Sequence, residues 1–483
     1  MTPTPQQLAF VSELCSGTSS IALRACAGSG KTSTLVMGFT EAVTKGALRL
    51  GETLFLAFAK RNVEDLIQRL PPTAHVRTMN SLGLAAWAGH IGKRPIVDSY
   101  KTRVALKSLL PREYDRYEEV SKLIALAKNC ALVPPGAPMG LNASSDSDFH
   151  DLAEAYDLGT SREIPAIANY AKAALRQSIV DALMGKIDYD DMLYMPVIYT
   201  SSFPPYSTVF VDEAQDLNET QHRMLELIRP KRLILAGDPR QAIYSFRGAK
   251  SHSMSELMAK FSAKEMPLTV SFRCPREVVR EAQSFAPEIQ SFEGAPAGTV
   301  SSVEVIDTSY LKHGNAVLCR WNAPLVKLAL RLLTQGVPFT YAGRDFSRGL
   351  IAVMSKAQAP LTDYIQFWAK RERLEAEALG RFAKVETIND KELALLAIVE
   401  SLGPTASPQD VVQRLEALFA GGHGVTLSTV HRAKGFEWEQ VLWLDPARVK
   451  AKAHGGDEEA RCISYVAITR AKLGLSYIEK ERT

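Results

Sequence analysis

Residues 20–43 restrict the fold more tightly than any other segment. Ser20-Ile21-Ala22-Leu23-Arg24 is an apolar run of strand length, and it feeds Ala25-Cys26-Ala27-Gly28-Ser29-Gly30-Lys31-Thr32. A helical pattern follows, with apolar residues at Leu35-Val36, Phe39 and Ala42-Val43. Strand, glycine-rich loop and helix in that order make a phosphate-binding loop. Gly28 and Gly30 let the backbone of Ala27 to Gly30 curl its N–H groups toward phosphate oxygens, and the helix N-terminus adds partial positive charge. Lys31 is expected to reach the β and γ phosphates, and Thr32 to ligate Mg²⁺. The usual first glycine of such a loop is here Ala25.

A second stretch, Thr208 to Ala249, supplies the acids that such a loop requires. Thr208-Val209-Phe210-Val211 ends in Asp212-Glu213-Ala214-Gln215-Asp216, and Arg232-Leu233-Ile234-Leu235-Ala236 runs into Gly237-Asp238-Pro239-Arg240-Gln241. Both apolar runs have the character of buried parallel strands. Ligands of open α/β sheets bind at the carboxyl ends of such strands. An adjacent acid pair placed there can hold Mg²⁺ with one carboxylate and orient a water with the other. A nucleoside triphosphate·Mg²⁺ site is therefore expected.

At 483 residues the chain is long enough for several domains, and its 46% hydrophobic and 23% charged residues are those of an ordinary globular protein. The net charge of +4 gives little support by itself for a polyanionic partner, so any basic surface must be local. The cysteines Cys15, Cys26, Cys130, Cys274, Cys319 and Cys462 stand singly, which argues against zinc or iron–sulfur sites and for a reducing compartment. No apolar run approaches membrane-spanning length, and Met1-Thr2-Pro3-Thr4-Pro5 lacks signal-peptide character, so a cytoplasmic protein with no membrane partner is expected.

Along the chain, α/β character in 1–90 gives way to helical patterns in 91–195, and α/β character returns over 196–264. A second α/β pattern covers 265–345 and 421–483, interrupted by helical patterns in 346–420. The charge-dense segment Lys370 to Glu377 within that interruption is expected to be a solvated helix face. The expected fold class is thus α/β: two parallel-sheet cores, each carrying a mainly helical insertion.

The order of motifs resembles that of the UvrD/Rep-like superfamily 1 DNA helicases, from about Thr4 to Lys472. That resemblance implies two RecA-like domains with ATP in the cleft between them: 1A (1–90 and 196–264), 2A (265–345 and 421–483), and helical inserts 1B (91–195) and 2B (346–420, much shorter than in relatives). It implies that Gln7, with Gln6 as the alternative register, reads the adenine edge. It makes Asp212 the Mg²⁺ ligand, Glu213 the general base, and Gln241 the γ-phosphate sensor, with Gln215 and Asp216 coupling nucleotide state to neighbouring loops. Phe272, in Ser271-Phe272-Arg273, takes the slot of a tyrosine that stacks on adenine, and Arg273 that of an arginine finger. Ser33 stands where many relatives carry an arginine that packs the base. In Thr429-Val430-His431-Arg432-Ala433-Lys434-Gly435-Phe436-Glu437, Gly435 and Glu437 are implied to lie near the nucleotide, while Thr429 and His431 face DNA. Arg470, in Ala467-Ile468-Thr469-Arg470, is implied as the second finger.

The same resemblance places single-stranded DNA on Phe58, Lys60 and Arg61, on Thr78, Asn80 and Ser81, and on Tyr244, Phe246 and Arg247. Aromatic rings stack on any base, at about 1–3 kcal/mol each, as a motor that ignores sequence requires. Asn80 departs from the family's usual histidine. Asp188-Tyr189-Asp190-Asp191 matches a segment at the end of insert 1B, but an acidic cluster of this kind also caps helices and is given no catalytic role. The implied activity is an ATP-dependent translocase or helicase, running 3′→5′ and unwinding duplexes in repair, replication or recombination, with single-stranded DNA and single-/double-strand junctions as partners. The alternative is a DNA-stimulated regulatory ATPase that licenses a partner nuclease. The chain ends eleven residues after Lys472, so no appended nuclease is expected.

Overall fold

The computed structural model describes residues 2–57, 60–111, 116–138, 140–243, 252–304, 306, 311–378 and 382–479. Phe58, Tyr244, Phe246 and Arg247, expected at the DNA, lie outside the described residues. The chain forms two compact units, residues 1–25 with 30–268 and residues 26–29 with 269–483.

The first unit is built on β1 (Ile21–Ala25), β2 (Thr53–Ala57), β3 (His75–Thr78), β4 (Thr208–Val211), β5 (Arg232–Gly237) and β6 (Lys264–Leu268). They pair in the order β3-β2-β4-β5-β1-β6, and every pair is parallel. Parallel strands covered by helices on both faces must be apolar throughout, and β2, β4 and β5 are buried at every position. On one face Phe55 stacks on Phe210 at 4.4 Å, and Phe39 of the Lys31–Thr44 helix meets Phe55 edge-on at 5.0 Å. This aromatic cluster seats the helix that follows the glycine-rich loop. The consequence for function is positional: β4, β5 and β1 are neighbours, so the loops at their carboxyl ends emerge side by side.

The expected boundary between 264 and 265 falls inside β6. Residues 264–268 are the edge strand of the first sheet, in register with Ile21–Ala25. The buried strand β1 has a ladder edge on each side, and leaving one unpaired would strand its N–H and C=O groups.

The helices Lys101–Leu109, Tyr117–Asn129, Asp146–Ala155 and Ile164–Leu183 lie within 91–195, and they gather around Trp87, Leu123, Ile167 and Leu175. Within this core Lys101 pairs with Asp191 at 2.5 Å, and Lys128 contacts Asp188 at 2.6 Å and Asp191 at 2.8 Å. Asp188 and Asp191 also accept each other's backbone N–H at 2.9 Å. The acidic segment therefore caps and cross-links the insertion. Burial alone would raise the Asp188 carboxyl, but the Lys128 ammonium outweighs it and holds the group at about 2.

The second unit carries β7 (Thr299–Ser302), β8 (Asn315–Cys319), β9 (Phe339–Ala342), β10 (Val425–Thr429), β11 (Trp438–Leu444) and β12 (Ala471–Ile478). Their order is β7-β12-β11-β8-β10-β9, again parallel throughout. Each unit is thus a doubly covered parallel sheet of the RecA-like kind. The helices Arg344–Met354, Leu361–Ala378, Phe382–Leu402 and Pro408–Phe419 lie between β9 and β10 in sequence. Leu395, Ile398, Leu415 and Phe419 share one core with Val317, Leu427 and Leu442 of the sheet. Asp390 accepts the backbone N–H groups of Asn322 and Ala323 at 2.9 and 2.6 Å, capping the Ala323–Thr334 helix. Much of 346–420 is therefore a wall of the second core.

Residues 26–29 group with the second unit because the Gly28 carbonyl accepts the Phe272 N–H at 2.8 Å and the Ala27 N–H donates to the Tyr465 hydroxyl at 2.8 Å. The six cysteines form no disulfide, and no helix among the described residues is long and apolar enough to cross a membrane.

Candidate active site

The glycine-rich loop adopts the conformation that its composition anticipates. Gly28 and Gly30 have φ of 73° and 74°, in the left-handed region that favours glycine. A Cβ on Gly28 would also lie 2.5 Å from the Arg273 Cβ, so this position excludes a side chain twice over. Gly30 is the N-cap of the Lys31–Thr44 helix, and no side chain caps that N-terminus, which leaves its N–H groups suited to an anion. The Ser29 hydroxyl is buried without a hydrogen-bond partner in the structure, which is costly unless a ligand satisfies it.

Lys31 lies between the two acids that end β4. Its ammonium is 2.8 Å from Asp212 Oδ1 and 2.7 Å from Glu213 Oε1. The Thr32 hydroxyl donates to Asp212 Oδ2 at 3.3 Å. Burial would pull the Lys31 ammonium down, but the two carboxylates outweigh it and hold it well above the ordinary lysine range. Glu213 has φ 57° and ψ 41°, left-handed backbone for a residue with a side chain. Strain of this kind costs on the order of 1–3 kcal/mol and persists where its surroundings over-determine it.

Behind the acids a chain of polar side chains joins two loops. Gln215 donates from Nε2 to Glu213 Oε2 at 2.6 Å and accepts the Asp238 backbone N–H on Oε1 at 3.1 Å. Asp238 in turn accepts from Gln241 Nε2 at 2.7 Å. Asp238 is buried, and desolvation pushes its carboxyl up against the bond from Gln241. The structure thus brings together Lys31, Thr32, Asp212, Glu213 and Gln241. It adds Asp238, whose importance the sequence did not single out, although its place at the end of β5 was the available signal.

Gln7 is buried and engaged at both ends: Oε1 accepts the Thr4 N–H at 2.9 Å, and Nε2 donates to the Thr34 hydroxyl at 2.9 Å. It completes a capping box on the Pro5–Ser16 helix. Ser33 accepts from Arg69 at 2.8 Å. A guanidinium thus stands beside the position where an arginine was missed, delivered from the Lys60–Arg69 helix by a residue distant in sequence.

In the second unit Arg273 pairs with Glu437 at 2.6 Å, and Phe272 lies 5.2 Å from Phe292, ring to ring. Gly435 has φ 83° and open space where a Cβ would be. Arg470 is 1% exposed, with Nε bonded to the Val466 carbonyl at 3.1 Å, Nη1 to the Phe436 carbonyl at 3.3 Å and Nη2 to the Thr469 hydroxyl at 3.2 Å.

The residues expected at DNA are placed unevenly. Lys60 is largely exposed, with Glu64 3.8 Å away. Arg61 is the second residue of the same helix. Thr78 caps the Met79–Ile91 helix by accepting the Ser81 N–H at 3.0 Å, and Asn80 donates to the Tyr189 carbonyl at 3.1 Å. Thr429 is buried at the end of β10. His431 Nε2 faces Glu459 Oε1 at 3.6 Å, a carboxylate that also meets Arg320 at 3.5 Å. The His431 imidazole beside it holds Glu459 below the usual carboxylate range.

The residues present fit a nucleoside triphosphate with Mg²⁺. The left-handed glycines, the uncapped helix N-terminus, the orphaned Ser29 hydroxyl and Lys31 suit phosphate oxygens. The Thr32 hydroxyl and the Asp212 carboxylate form a hard oxygen donor pair of the kind Mg²⁺ selects.

Comparison with known proteins agrees with this geometry. The UvrD/REP helicase N-terminal domain family matches residues 4–262, more than half of the chain, and the UvrD-like helicase C-terminal domain family matches residues 388–481. The chain is 23% identical over 487 residues to F-box DNA helicase protein 1 of Schizosaccharomyces pombe, covering 93% of this chain and 54% of that protein. It is 25% identical over 549 residues to ATP-dependent DNA helicase UvrD2 of Mycobacterium bovis, covering 94% and 76% respectively. It is 21% identical over 358 residues to DNA helicase II of Haemophilus influenzae, covering 66% and 49%.

Proposed function

The chain belongs to the UvrD/REP helicase family, and on that premise we propose that it is an ATP-dependent translocase and helicase on single-stranded DNA, moving 3′→5′ and opening duplexes at single-/double-strand junctions. The observation that carries this is the Lys31–Asp212–Glu213 cluster set on a loop with two left-handed glycines. Bound Mg²⁺, held by Thr32 and Asp212, would neutralise charge on the β and γ phosphates. Lys31 leaves the acids for those phosphates, Glu213 aligns the attacking water, and Gln241 senses the γ-phosphate. Arg273 and Arg470 are the proposed arginine fingers, with Gly435 and Glu437 near the nucleotide. Gln7 and Phe272 are the proposed base contacts.

DNA is proposed to contact Phe58, Lys60 and Arg61, then Thr78, Asn80 and Ser81, and the segment Tyr244 to Arg247 with Thr429 and His431. Phosphate contacts of this number make binding fall steeply with salt. We propose domains 1A, 1B, 2A and 2B in the arrangement the resemblance implies, with β6 assigned to 1A. A role in DNA repair, replication or recombination in the cytoplasm follows from the same reading.

One observation favours a second function. Residues 346–420 are short, and their helices are built into the second core, which suits a DNA-stimulated regulatory ATPase that licenses a partner nuclease without processive unwinding. Strand displacement on 3′- and 5′-tailed duplexes, with Lys31→Ala as control, separates the two. Displacement from the 3′ tail supports the helicase; DNA-stimulated hydrolysis without displacement on either tail supports the regulatory ATPase. Absence of any DNA stimulation overturns both.

A further inference from the structure

Within 91–195 the short strands Ile96–Val97 and Lys186–Ile187 pair as a parallel ribbon. The Ile96 N–H donates to the Gly185 carbonyl at 2.8 Å, and the Asp98 N–H to the Ile187 carbonyl at 2.7 Å. Successive residues of a strand turn their backbone groups to opposite edges, so the Val97 N–H and C=O face away from the ribbon. Among the described residues these two groups have no hydrogen-bond partner.

Apolar side chains surround this open edge. Ile96 and Met184 are each 72% exposed, Tyr100 64% and Val104 56%. Single exposed apolar residues are ordinary, but these are gathered. Ile96, Val97, Tyr100 and Met184 line one groove of about 570 Å³, and Val104 stands one helical turn beyond Tyr100. That volume is in the range of ligand-binding clefts, and apolar surface gathered beside an unpaired strand edge marks a place where another chain docks.

The charge left around the groove has one sign. Lys186 and Asp98 neutralise each other at 3.0 Å. Lys93 donates to the Met184 carbonyl at 2.9 Å, while Arg94, Arg103 and Lys107 are exposed with no ion-pair partner among the described residues. Arg103 follows Tyr100 by three residues and Lys107 follows Val104 by three, so these cations share a helix face with the apolar pair.

We propose that this groove is the docking site for an extended acidic peptide of a partner protein, which adds a strand beside Val97 and seats a bulky apolar side chain between Ile96, Tyr100 and Met184. Backbone pairing supplies affinity, and the pocket for alternate side chains supplies specificity. The uncompensated Arg94, Arg103 and Lys107 favour acidic flanks and disfavour a basic segment. Nucleic acid shares the negative charge but not the rest of the chemistry. Single strands are held on aromatic platforms, whereas this groove has one tyrosine among aliphatic side chains. The surface does not depend on the proposed DNA activity.

The test uses the full chain and a short fluorescein-labelled peptide in which aspartate and glutamate alternate with isoleucine, valine and phenylalanine. Fluorescence polarisation should show saturable binding, at least about tenfold tighter than to a counterpart with lysine in place of every acid, and weakening as salt rises. A saturating single-stranded oligonucleotide should leave the peptide affinity unchanged. Methylating the backbone nitrogens of either the acidic or the apolar residues blocks one edge of the added strand, and one of these two peptides should lose binding while the other keeps it. Tyr100→Ala and Met184→Ala, both at exposed side chains, should each weaken binding at least about tenfold, the size of an interface hot spot, with unchanged far-ultraviolet circular dichroism. Arg103→Glu with Lys107→Glu should weaken it and flatten its salt dependence. Absence of saturable binding overturns the proposal. So does equal affinity for the lysine counterpart, displacement by the oligonucleotide, binding of both methylated peptides, or full affinity in either alanine variant.

Discussion

Gln215 accepts the Asp238 backbone N–H at 3.1 Å, joining the loop after β4 to the loop after β5. Its Nε2 holds Glu213, and Asp238 holds Gln241, so the proposed water-aligning acid and the proposed γ-phosphate sensor are linked through one buried amide. The link also explains a glycine. A Cβ on Gly237 would lie 2.4 Å from Gln215 Oε1.

Gln215→Ala should remove this link and leave the buried Asp238 N–H without its acceptor. The expected stability loss is about 1–3 kcal/mol, read from a urea unfolding midpoint. Displacement of Glu213 should lower the kcat of ATP hydrolysis by up to about 100-fold with a smaller change in KM. Equal kcat in variant and parent would show that the link carries no catalytic geometry.

Glu213→Gln should keep nucleotide binding and lose hydrolysis. A general base contributes about 10²–10⁴-fold, so a kcat drop of that size with near-unchanged ATP affinity is expected. Equilibrium binding of a labelled ATP analogue and steady-state hydrolysis together check it.

Lys31→Met leaves Asp212 buried without its closest cation, and removing one partner of a buried pair costs about 3–5 kcal/mol. Lys31→Met with Asp212→Asn should recover much of that stability while hydrolysis stays absent. Thermal unfolding without nucleotide, alongside hydrolysis, separates the two effects.

Lys128→Met should destabilise the helical insertion by about 3–5 kcal/mol at pH 7, because Asp188 and Asp191 lose their shared cation. The pH dependence has a definite sign. Asp188 is held at about 2 in the fold, below the ordinary aspartate value of about 3.9. Its contribution is therefore present above about pH 4 and lost as pH falls toward about 2. The advantage of the parent over the variant should shrink across that window in urea unfolding series.

Much of this protein was legible without coordinates where a function requires consecutive residues. Gly28 to Thr32 must follow a strand and open a helix, and Asp212 with Glu213 must end another; the structure places both so. The two α/β cores also showed themselves, since parallel strands buried on both faces leave continuous apolar runs. The capping role of Asp188 and Asp191 matched the plain expectation for an acidic cluster.

Other features depend on residues brought together from far apart in the chain. The spacing of Lys60 to Arg69 does not announce that Arg69 meets Ser33, and a glutamine at Gln7 does not reveal that Thr4 and Thr34 will claim both ends of its amide. The strand at Lys264–Leu268 carries exposed polar residues, so its pattern did not mark it as the partner of β1. The helices of 346–420 read as an insertion because their periodicity reports that a face is buried without reporting what covers it. The local chain determined the phosphate loop, the acids and the fold class, since each is set by neighbours along the backbone. The partners of Gln215 and Arg69 were decided only in three dimensions, because strand order and helix packing choose which distant side chains meet.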